Sequence, residues 1–153
     1  MSKFDALHLE VDKPARMTVM LPGMPQPLCD TAGEPAWIDL LSHDSIAAQQ
    51  FDDRQAEMML QKRQASPGYI PPPIEARRQL VERAAALTVG WRLLGLDGSA
   101  LDVAFSREAA IELYGDHRMQ WLFDQVVTHL HRRQNFMPAK SSASSPSPNT
   151  SSA

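Results

Sequence analysis

One stretch of this 153-residue chain constrains its fold more than any other. Met119, Leu122, Phe123, Val126, Val127 and Leu130 recur at i, i+3, i+4, i+7, i+8 and i+11, which draws one unbroken apolar face on an α-helix. Trp121, Asp124, Gln125 and Thr128 fall off that face. A helix with such a stripe is stable only against another apolar surface, so the rest of the chain must supply one. At 43% apolar residues it can do so. A single domain of about 150 residues buries roughly 70% of its unfolded surface.

Proline and glycine divide the remainder. Arg16–Leu21 and Ala36–Leu41 read as two short β runs. Between them Pro22, Gly23, Pro25, Pro27, Gly33 and Pro35 remove donors or allow unusual φ, so 22–35 is loop, and the runs pair as an antiparallel hairpin. Such a hairpin is marginal alone and needs a helix or a partner on it. Ser42–Ser45 then offers N-cap oxygens for a helix over 46–64. Its stripe is thin (Ile46, Ala47, Phe51, Met58 and Met59), so exposed i,i+4 pairs or a partner must support it. Residues 65–73 form a polyproline-like break. A second helix is expected over 74–89, ended by Gly90. A second hairpin, 91–94 with 101–105, should turn at Asp97-Gly98. Ser106 and Glu108 open a short helix to Tyr114. The expected fold is therefore α+β and mostly helical: four helices with one or two small antiparallel hairpins. It forms a single domain over 1–138, followed by a disordered Ser/Pro tail over 139–153.

Charge and motifs narrow the function. A net charge of −3 and a pI of 5.9 lack the basic footprint of a nucleic-acid binder. No apolar run approaches the roughly 20 residues that cross a bilayer, and the first residues lack a signal-peptide core, so a soluble, non-exported chain is expected. The lone Cys29 suits a reducing compartment, and no base lies near it in sequence. His129 and His131 point about 200° apart on a helix and cannot share a metal. With Arg132 and Arg133 they make a basic helix end. Asp53 and Glu57 share a face but sit among Arg54, Gln55 and Lys62, which reads as a solvated surface. His117 beside Asp116 reads as helix-start chemistry. No phosphate loop, dinucleotide fingerprint, zinc-protease or nucleophile-elbow motif is present. No catalytic, cofactor-binding or metal-binding residue is therefore assigned. The candidate residues are for protein binding: Trp121, off the main stripe, then Phe51, Met58, Met59 and Trp37.

Several segments resemble tail assembly chaperones of tailed phages. They are Gly90-Trp91, Asp97-Gly98, Phe105-Ser106-Arg107-Glu108-Ala109-Ala110, the run Arg118-Met119-Gln120-Trp121-Leu122-Phe123-Asp124-Gln125-Val126, and Asn135-Phe136 before a polar tail. The likeness is closest over 90–136 and loose before it. It implies a non-enzymatic protein of the host bacterial cytoplasm. Such a protein binds the tape measure protein, and in some cases the tail tube subunit, and keeps apolar helices from aggregating until the tail polymerises. Two other readings stay open: a structural minor tail or head–tail connector subunit, and a small enzyme whose site has no recognisable motif.

Overall fold

A computed structural model describes residues 3–138; the expected disordered tail, 139–153, lies outside them. Three strands, β1 (Ala15–Thr18), β2 (Trp37–Leu40) and β3 (Thr88–Arg92), form one antiparallel sheet in the order β1-β2-β3. Four helices accompany it: α1 (Ile46–Ala65), α2 (Pro73–Leu87), α3 (Arg107–Gly115) and α4 (Gln120–His131). The fold is α+β.

The first hairpin forms as expected, Met17 pairing with Ile38 and Thr18 with Trp37. Its long connection is tied by backbone bonds: Val19 N–H donates to Ala36 O (3.0 Å), Leu28 N–H to Val19 O (2.8 Å) and Ala36 N–H to Leu28 O (2.8 Å). Asp30 Oδ1 accepts from both Ala32 and Glu34 N–H at 2.9 Å, fixing the turn at Gly33.

The second hairpin is corrected. α2 stops at Leu87, short of Val89, and Gly90 lies inside β3 rather than at a helix end. β3 adds to the sheet beside β2, with Trp91 opposite Ile38 and Arg92 opposite Trp37. The reason is long-range. β2 would otherwise expose a row of unpaired backbone groups, and β-branched Thr88 and Val89 leave the helix cheaply to satisfy them. Between 93 and 101 only a Leu94–Ala100 bridge survives, around a turn closed by Gly95 N–H to Ser99 O (2.8 Å). Gly98 there has φ +86°, and an added Cβ would stand 2.8 Å from Cys29 O, so both conformation and space demand glycine.

Helix starts follow their caps. Ser45 Oγ accepts from Ala48 N–H (3.2 Å) and Ser106 Oγ from Ala109 N–H (3.0 Å). Asp116 accepts from Arg118 N–H (2.9 Å) in the short 3₁₀ turn His117–Met119 that leads into α4, which is helix-start chemistry. The α4 stripe is inside: Leu122, Phe123, Val126 and Leu130 are buried, and Met119 and Val127 are partly buried. They join Met17, Ile38 and Leu40 of the sheet, Val81, Ala84, Ala85 and Leu87 of α2, and Ala110 and Tyr114 of α3 in one cluster.

A polar chain runs through that core. Thr88 Oγ1 donates to Ala84 O (2.8 Å) and therefore accepts from the Tyr114 hydroxyl (2.8 Å). Burial pushes the Tyr114 pKa up to about 12. The two partners are not equivalent. Tyr114→Phe removes a donor that Thr88 does not need, and is expected to cost about 1 kcal/mol. Thr88→Val strands a buried hydroxyl and should cost about 1–3 kcal/mol. Urea denaturation of both variants and the double variant checks this: adding Tyr114→Phe to Thr88→Val should restore stability, and a further loss would refute the coupling between the two hydroxyls.

Candidate protein-binding surface

The five residues singled out from the sequence do not form one site. Phe51 is 4% exposed, so it is a buried residue at the base of α1 and not a contact residue. Trp121 is half-buried and packs against the core beside Leu113, Met119 and Leu122. It roofs the apolar cluster instead of standing free of it. Trp37 lies on the outer face of the sheet, where the Arg16 guanidinium sits 3.6 Å from its ring centroid. Asp39 holds Arg16 there through two bonds of 2.9 and 3.1 Å. Met58 is exposed, and Met59 is half-buried in a small hollow against Arg78, Gln79 and Glu82 of α2. Only these two methionines share a surface.

That surface belongs to a projecting helical hairpin. A helix of 20 residues is about 30 Å long, yet α1 buries only Ala48 and Phe51, both in its first two turns. α2 buries only Val81, Ala84, Ala85 and Leu87, all in its second half. The joined ends, 52–80, therefore extend beyond the core. The expected i,i+4 support along α1 is replaced by bonds across to α2 and the connecting loop. Arg83 reaches Asp52 (2.8 and 3.1 Å), Lys62 reaches Glu75 (3.5 Å), and Tyr69 Oη donates to Glu75 (2.9 Å). That last bond, with Lys62 and Arg78 nearby, holds the Glu75 carboxyl below its usual range. Asp53 and Glu57 are solvated, as expected.

Polar zipping leaves apolar side chains facing water. Met58 (49% exposed), Leu60 (58%), Ile70 (81%), Ile74 (76%) and Leu80 (61%) all lie on this element, on more than one of its faces. Apart from Met58, none was singled out from the sequence. Beneath Ile74 opens a groove of about 390 Å³. Val81 and Ile111, Tyr114 and Phe123 line it, and Arg77, Arg78, Asp116 and His117 stand around it. A signal was available: Ile74, Val81 and Ala85 continue one helical line, which shows the core-facing side of α2 running past its core.

Three histidines, His43, His129 and His131, serve the fold. The His43 and His131 rings lie 4.5 Å apart between centroids, beside Asp44 and Arg133. Burial lowers the His43 pKa, Asp44 opposes that, and His131, Arg133 and Arg83 add to it. His129 Nδ1 accepts from Asn135 Nδ2 at 3.1 Å, and burial lowers its pKa as well. The sign is definite. A histidine depressed in the folded state leaves the unfolded chain holding more protons below its ordinary value of 6.5, so stability falls as pH drops through that value. Asp44 and Asp116, both held low by arginine hydrogen bonds, add a separate loss at more acid pH. Thermal melts should therefore show Tm declining between pH 7.5 and 5.5. His129→Asn should flatten that decline, and an unchanged slope would sink this assignment.

Among the described residues, no group of three His, Cys, Asp or Glu is placed to hold a metal ion, and no helix is long and apolar enough to cross a membrane. Cys29 is half-buried in the β1–β2 connection. Compared with known proteins, the chain matches no family model, no curated protein and no solved structure.

Proposed function

We propose that this protein is a non-enzymatic tail assembly chaperone of a tailed phage. It binds the tape measure protein, with the tail tube subunit as a second client, in the host bacterial cytoplasm. The observation that carries this reading is the projecting α1–α2 hairpin. It presents five large apolar side chains that its own core does not use. Other exposed apolar side chains are spread mostly over the sheet and loops. These five share a projecting element that can meet a partner without disturbing the core, and wet apolar surface of that kind favours an interaction site. Met58 and Met59 add side chains that adapt to irregular partners. A client rich in apolar helix would be shielded by such a surface until it assembled.

Co-expression with the tape measure protein of the same phage tests the reading. The soluble yield of the tape measure protein should rise and the two should co-purify. Unchanged yield without co-purification overturns it, as does stoichiometric presence of this protein in purified virions, which defines a structural subunit.

A further inference from the structure

We infer that the groove between α2, α3 and the start of α4 receives an amphipathic helix of a partner protein, with an aliphatic stripe flanked by acidic residues. This rests on the protein-binding reading above and specifies the partner's chemistry. The groove exists because α2 outlasts its packing. Val81 is 5% exposed against α3 and α4, whereas Ile74, two turns earlier on the same helical line, is 76% exposed. α3 ends at Gly115, and beyond it nothing among the described residues covers Ile74. The floor is nearly dry: Val81, Tyr114 and Phe123 are buried and Ile111 is half-buried. A space of about 390 Å³ with an apolar floor, walled by helices, suits the side chains of one helical face.

Charge fixes the flanks. On α2, residues 77 and 78 lie to either side of the line from Ile74 to Val81, so an arginine edges the apolar strip on both sides. Arg77 has no carboxylate at ion-pair distance among the described residues. Arg78 shares Glu75 (3.4 Å) and Glu82 (3.7 Å). His117 stands on the opposite wall. The one carboxylate in the lining, Asp116, is already engaged by Arg118 through bonds of 3.0 and 2.8 Å. An occupant with glutamates beside its leucines meets Arg77 and Arg78, and a lysine-flanked helix meets like charge.

The test uses the full chain and two synthetic helical peptides of about 18 residues, some five turns. Both carry the same leucine stripe, one flanked by glutamate and the other by lysine. Fluorescence anisotropy should show the glutamate peptide binding at least 10-fold tighter, with the advantage shrinking in high salt. Arg77→Glu should reverse the preference, and Ile74→Asp should abolish binding of both peptides. Both positions are exposed, so neither substitution endangers the fold. Equal affinity for the two peptides, or indifference to Arg77→Glu, overturns the inference. So does a dimer in sedimentation that Ile74→Asp dissolves, since the groove would then hold a second copy. The two readings fail separately. If Ile74→Asp still rescues the tape measure protein, the groove assignment falls and the chaperone stands. If the peptides bind as expected but no rescue occurs with the native chain, the chaperone reading falls and the groove stands.

Discussion

Ile38→Ala is expected to destabilise the fold by about 3–4 kcal/mol, within the usual range for emptying a packed aliphatic site. Ile38 is 0% exposed and occupies the central strand, between Met17 on β1 and Trp91 on β3. Both neighbours are held by backbone ladders, so the site can collapse little. The void must remain largely unfilled, and the larger cost applies. Domains of this size are stable by about 5–15 kcal/mol, so one substitution removes a large share. Tm should fall by about 10 °C. Ile38→Val, which removes one methyl, should cost about 1 kcal/mol. Urea denaturation with unchanged m-values checks both, and a loss below 1 kcal/mol for the alanine variant refutes the central place given to this residue.

The same strand shows what the sequence could and could not reveal. Helix α4 was readable because its stripe is local: six residues in twelve fix both its period and its inward face. The caps Ser45 and Ser106 and the break at 65–73 are local too, and each stands where local chemistry puts it. β3 was not readable. Thr88 and Val89 follow an Ala-rich helix without interruption, and only the partner strand, some fifty residues earlier, decides that they leave it. The burial of Phe51 is hidden for a related reason. A sparse stripe on α1 does not tell which end of a long helix meets the core, and Phe51 stands at the end that does. The exposure of Ile74 depends on where α3 stops, which no local pattern within α2 reveals. Local order was thus legible, and surface exposure, a product of tertiary placement, was not.

The hairpin separates stability from binding, and this gives the second large effect. Ile70→Ser, Ile74→Gln and Leu80→Gln together should leave urea stability within about 0.5 kcal/mol of the native chain per exposed site or better. All three side chains are more than 60% exposed, so they contribute little burial to lose. Gln keeps the helix propensity of α2, and Ser is at ease in the loop. Capture of the proposed client should nevertheless collapse. A buried anchor at a protein interface is commonly worth about 2 kcal/mol, and three of them, even if far from additive, imply at least a 100-fold loss of affinity. The readout is paired: melting of the purified triple variant, and the soluble yield of co-expressed tape measure protein. A native-like melt with lost rescue assigns the apolar hairpin to the partner. Native-like rescue by the variant would remove the hairpin from the interface. A lowered melt would show instead that these side chains support the fold, which their exposure argues against. The physical reason to expect the first outcome is that α1 and α2 hold each other through Asp52–Arg83 and Glu75–Lys62, pairs that these substitutions leave untouched.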